Sequence, residues 1–256
     1  MKNAGLKVLL TVLALPVGAA AALAQTSAPL QTQSLQQPTI RDQLGDCKSE
    51  TATIQAKIEA CTKMIGEVQD DEIRAEALIQ RGVLREQSED RDGALADYTE
   101  AIRLDGTNAV AFFNRGNVHD QMGQADLAIA DYTEAIKLDG SDADVFNNRG
   151  QSYDNKGQYD LAIADYSQAI RLAPGVPRAF YNRALSHFAK GDQQAALVDF
   201  NQTIALDPND AEAYVNRAIV FEALGNTGAA KADYQKVLLL QPLHNHAREA
   251  LARLGK

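Results

Sequence analysis

The chain has 256 residues, 45% of them apolar and 23% charged, which is long and apolar enough to bury a sizeable core. Its 34 acidic side chains outnumber 25 basic ones for a net charge of −9. That sign excludes nucleic acid as a partner, because phosphates repel it and no basic stripe interrupts the acidic background, and it disfavours an anionic membrane surface for the same reason.

Residues 1–24 carry Lys2 and Lys7, then an apolar run that ends in Ala22, Leu23 and Ala24. A basic start, an apolar middle and a small-residue end predict a secretory signal peptide cleaved after Ala24, with an uncleaved anchor as the alternative. No cysteine stands at that point to take a lipid. Loss of the two lysines would carry the net charge to −11. The mature chain is then expected in a bacterial periplasm or cell envelope, without membrane insertion. Residues 25–40, rich in Gln, Ser, Thr and Pro and lacking a helical apolar period, predict a disordered linker.

Residues 41–74 hold the only two cysteines. From Thr53 onward Ile54, Ile58, Cys61 and Ile65 recur at helical spacing, so this segment reads as a degenerate repeat that caps the N-terminal end. Two cysteines in an exported chain predict one disulfide, Cys47 to Cys61. A redox or metal pair would want a CxxC spacing or a neighbouring His, and neither is present.

Residues 75–244 divide into five segments of 34 residues with no insertion or deletion: 75–108, 109–142, 143–176, 177–210 and 211–244. Position 8 of each is Gly82, Gly116, Gly150, Ala184 or Ala218, and position 20 is always Ala. Small side chains in two helical stretches permit close approach of two helix backbones. Larger apolar columns fill the gaps: position 4 holds Leu78, Phe112, Phe146, Phe180 and Tyr214, and position 24 holds Tyr98, Tyr132, Tyr166, Phe200 and Tyr234. The apolar spacing is helical twice, around a turn-rich gap such as MGQAD, so each unit is a helical hairpin. Residues 245–256 close the chain with Ala247, Leu251 and Leu254 on one face, which predicts a capping helix.

These segments resemble tetratricopeptide repeats, whose pattern sets an aromatic, Leu-Gly, Tyr, Ala, an aromatic, Ala and Pro at these columns. Two columns depart from it. Arg81, Arg115, Arg149, Arg183 and Arg217 take the usual Leu column, and Gly106 and Gly140 replace the closing Pro that Pro174, Pro208 and Pro242 keep. Arginine lays its stem on apolar surface with its head in water, so the resemblance stands. It implies an all-α fold, a right-handed α-solenoid of stacked hairpins.

Chemistry is sparse. Asp97, Asp131, Asp165, Asp199 and Asp233 recur at position 23, and one environment repeated five times suits a structural or solvated role, not a catalytic pair. His119 and His187 stand where other copies carry Tyr153 or Phe221, so they read as packing residues. His244 and His246 offer two ligands where a metal needs three or four. No nucleophile elbow, phosphate loop or zinc-protease helix is present. The expectation is no enzyme, no catalytic residue, no metal and no cofactor.

Function is therefore sought in the groove that the resemblance implies, lined by the first helix of each hairpin through positions 2, 5, 9, 12 and 13. The matching residues include Asn117, Asp144, Asn147, Gln151, Asp154, Arg178, Tyr181, Leu185 and Phe188. Asn114, Asn148 and Asn182, with Asn216, form a ladder at position 6 that serves either a bound peptide backbone or helix packing. The centre is amide and carboxylate and the C-terminal part is aromatic and aliphatic, which suits a segment with basic and apolar residues. The expected function is a protein or peptide-binding scaffold. A self-associating spacer and a carbohydrate-binding module using Tyr181 and Phe188 are the alternatives.

Overall fold

The computed structural model describes residues 45–255. The expected signal peptide and linker lie outside them. The described residues form a short 3-10 turn, Gly45–Lys48, and twelve α-helices, with no strand among them. Helix α1 spans Ile54–Glu67, and five hairpins follow: α2 (Asp71–Gln87) with α3 (Arg91–Leu104), α4 (Ala109–Gln121) with α5 (Ala125–Leu138), and α6 (Ala143–Asn155) with α7 (Tyr159–Leu172). The fourth is α8 (Pro177–Lys190) with α9 (Gln193–Leu206) and the fifth α10 (Ala211–Ala223) with α11 (Thr227–Leu240). Helix α12, Asn245–Leu254, ends the array. None of these helices is long and apolar enough to cross a membrane.

Each helix packs on the one before and the one after it, so the described residues form a linear stack. Local chemistry sets the boundaries. Thr53, Asp70, Asp90, Asn108, Asp142, Asp210 and Asn226 each cap a helix start by accepting a backbone N–H in its first turn. Helix α2 starts at Asp71, four residues before the first repeat boundary read from the sequence, because Asp70 supplies the cap.

The turn inside each hairpin needs one left-handed residue. Gly123, Gly157, Gly191 and Gly225 supply it with φ between 70° and 90°, and the first hairpin uses Glu89 at φ 64°. A side chain there is strained by contact of its Cβ with the backbone. Glu89→Gly is expected to raise stability by about 1 kcal/mol, and thermal unfolding should show it as a rise of about 2–4 °C. An unchanged or lowered melting temperature would mean that the Glu89 side chain compensates its own strain.

The core is a row of rings. Tyr98, Tyr132, Tyr166, Phe200 and Tyr234 are buried against Ala94, Ala128, Ala162, Ala196 and Ala230 of their own helices. Burial of a ring as large as Phe200 stabilises by about 2–3 kcal/mol. The small residue at position 8 leaves room for it: a Cβ on Gly150 would lie 2.8 Å from a Tyr166 ring carbon. At the ends, Cys47 and Cys61 form a disulfide that fastens the 3-10 turn to α1. Ala247 and Ala250 of α12 bury against the cluster around Tyr234, and Arg253 pairs with Glu222 at 2.6 Å.

The arginine column departs most from the sequence reading. The guanidinium heads are not in water. Each Arg donates from Nε and Nη2 to both oxygens of the position-23 Asp of its own hairpin, at 2.6–2.9 Å in all five. The Arg side chains are 13–21% exposed and the carboxylates 3–8%. Nη1 reaches back to the preceding second helix, to Thr62, Thr99, Thr133, Ser167 and Asn201 in turn. In four hairpins the guanidinium also lies 5.4–5.8 Å from the position-4 ring centre. Each arginine thus staples two helices of one hairpin to the hairpin before. Burial works against the charge of Arg149, but Asp165 outweighs it and its pKa is raised.

Candidate ligand groove

First helices of consecutive hairpins touch one another from α2 to α8, and consecutive second helices do so less. The layer whose members approach more closely lies on the inside of a curved stack. The first helices therefore form the inner face.

The position-6 ladder is largely spent on joining hairpins. Asn148 donates to Asn117 at 2.9 Å, Asn182 to Asn147 at 3.1 Å, and Asn216 to the Tyr181 hydroxyl at 2.9 Å. Asn114 is half-buried. Asn147 is only 3% exposed, so it is an acceptor between hairpins and not a surface that a ligand meets. Tyr181 is half-buried, with its ring edge-on to Phe200 at 5.8 Å. Burial raises its pKa first, and Glu212 adds to it. Leu185 and Phe188 pack partly on the core around Phe200 and Val220. Exposed residues on this face include Asp144, Gln151 and Arg178, together with Val110, Gln121, Asn155, Ala189 and Glu212.

The acids are also engaged. Asp144 pairs with Arg178 of the next hairpin. Asp154 accepts from the Tyr166 hydroxyl and from Ser186, each at 2.8 Å, and burial raises its pKa despite those bonds. Asp120 accepts from Ser152 at 2.9 Å, and Glu86 and Glu222 accept from Tyr98 and Tyr234 at 2.5 and 2.7 Å. Sequence reasoning missed the serines, although their signal was present. Position 10 is Ser152 or Ser186 where the preceding position 12 is Asp, and Val220 where it is Phe188. Position 24 of the fourth hairpin is Phe200, so the acid and the ring hydroxyl are lost there together with the serine of the fifth hairpin.

His244 caps α12 through Nδ1, and His246 lies edge-on to Tyr234 at 5.7 Å. Among the described residues no group of three His, Cys, Asp or Glu side chains is placed to hold a metal ion.

An all-α stack of capped hairpins with an open inner face defines a solenoid repeat protein, a class whose surface for partners is the inner curve. Three family models, each described as tetratricopeptide repeat, match residues 109–142, 147–211 and 200–232. The chain is a tetratricopeptide-repeat protein. Among solved structures, it is similar to YrrB, described as a TPR protein with an unusual peptide-binding site, at 26% identity and TM-score 0.66 over 75% of this chain and 98% of that one. The C-terminal part of a TPR repeat-containing protein from Cytophaga hutchinsonii gives 23% identity and TM-score 0.65, over 78% and 80% of the two chains. MamA gives 22% and 0.60, over 67% and 96%. The latter two likenesses concern the fold alone. No curated protein matches the chain in sequence. Fold neighbours of this kind support a protein–protein interaction scaffold.

Proposed function

We propose that the chain is a non-catalytic adaptor that holds a peptide or protein segment along the inner face of its hairpins, in a bacterial periplasm or cell envelope. One observation carries the reading: the inner face keeps Gln151, Asn155 and Ala189 exposed around an open depression and the Asp144–Arg178 pair exposed at a separate one, while Asn117, Asn147, Asn148, Asn182 and Asp154 bond within or between hairpins. The peptide-binding site named for YrrB supports it, as does the absence of any catalytic motif from the sequence. Export rests on residues 1–24 and accords with a disulfide, which oxidising compartments favour.

The test is affinity capture from envelope extract with residues 25–256, beside a variant carrying Asp144→Lys, Gln151→Ala and Asn155→Ala. All three positions are exposed, so the variant is expected to fold as the parent does. A protein retained by the parent and lost from the variant is the expected result. Equal retention by both would refute binding at the inner face.

A further inference from the structure

The bonding between first helices changes along the groove. Between the second and third hairpins, Asn117 at position 9 accepts from both Tyr132 and Asn148 and closes the junction. Between the third and fourth, position 9 is the exposed Gln151, and Asn182 donates instead to the buried Asn147. The groove opens there into a depression of about 260 Å³. Leu185 and Ala189 form its apolar wall, Gln151, Asn155 and Asn182 stand around it, and Asp154 lines it from the N-terminal side. Its volume is below the about 300 Å³ of the smallest small-molecule pockets, which suits one side chain better than a whole ligand.

Charge is graded around this opening. Toward the N-terminal end, position 12 carries Glu86, Asp120 and Asp154, and none of the three is salt-bridged to a Lys or Arg among the described residues. Toward the C-terminal end, the same position is Phe188 and then Glu222, whose charge Arg253 offsets at 2.6 Å. A segment that matched this surface would be basic on one side of an apolar residue and not on the other.

Resting on the adaptor reading, we infer that the depression between α6 and α8 anchors one aliphatic or aromatic side chain of an extended segment of another protein. Its basic residues lie toward Asp154, Asp120 and Glu86. The amides of Gln151 and Asn155 hold the segment's backbone, since each offers a donor and an acceptor. Polarity of the bound segment follows from the one-sided charge.

Three synthetic fluorescein-labelled peptides test this by anisotropy with the intact chain: a run of lysines followed by one Leu, the same with Ser for Leu, and the same with Glu for the lysines. The Leu peptide is expected to bind about 10- to 100-fold more tightly than the Ser peptide, as burial of one such side chain implies. Ala189→Phe, which fills the depression from an exposed position, should remove that difference. Asp154→Asn keeps an acceptor for Ser186 and Tyr166 and should flatten the salt dependence for the lysine peptides. Equal binding of the Leu and Ser peptides, a preference for the Glu peptide, or no binding of any would overturn the inference. A partner captured as above whose retention ignores Ala189→Phe would also overturn it, while leaving the adaptor reading intact.

Discussion

Replacing Asp165 with Ala is expected to destabilise the protein by about 3–5 kcal/mol, the cost of leaving a buried charge without its partner. Arg149 is held by Asp165 through two bonds of 2.7 and 2.8 Å, and its third nitrogen meets Thr133 at 3.1 Å. With the carboxylate gone, the guanidinium keeps its charge and loses the group that stabilises it. The double variant Arg149→Leu with Asp165→Ala should recover most of the loss, because a buried pair exchanged for apolar side chains is often neutral in stability. Leucine is also the residue that the repeat pattern usually carries at this column. Lys137→Ala is the control: among the described residues Lys137 pairs only with Glu134 on its own helix, it is 62% exposed, and its loss should cost less than about 1 kcal/mol. Denaturant unfolding of the four proteins measures all of this. If the single and double variants lose the same amount, the Arg–Asp staple is not what holds the hairpins together.

The second large effect is alkaline. Tyr98, Tyr132, Tyr166 and Tyr234 have raised pKa values, in each case through burial first, with neighbouring carboxylates adding to it: Glu86 for Tyr98, Asp120 for Tyr132, Asp154 for Tyr166 and Glu222 for Tyr234. An unfolded tyrosine ionises near pH 10. The folded state favours the neutral phenol, so this stability is fully present below about pH 10 and is lost as pH rises from there toward the folded values. Each such group withdraws about 1.4 kcal/mol per pH unit, and four together withdraw about 5.5 kcal/mol per unit. Phenolate absorbance should therefore rise for these four in one step coincident with loss of helical circular dichroism. Tyr166→Phe should remove one proton from that step. The fourth hairpin already carries Phe200 there, buried without a hydroxyl or an acid to receive one. Gradual ionisation of all tyrosines before any helix is lost would contradict the assignment.

Much of this architecture is written in one dimension. The 34-residue period, the small residues at positions 8 and 20 and the rings at positions 4 and 24 determine that hairpins form and which faces meet, because helix periodicity alone decides which side chains share a face. The terminal helix and the five hairpins were legible for that reason, and the disulfide from the presence of just two cysteines in a chain read as exported. The fate of the polar groups was not. Arg149 and Asp165 stand sixteen positions apart, and nothing in their spacing says that both arrive at one buried place beside Thr133 of another hairpin. Asn147 and Gln151 were equally plausible as groove residues, since both lie on the same helix face. Only the stack buries the first and exposes the second. A side chain's face follows from local geometry, but its burial, its partner and the strength of its charge depend on how closely the next hairpin approaches. That distance exists only in the tertiary structure.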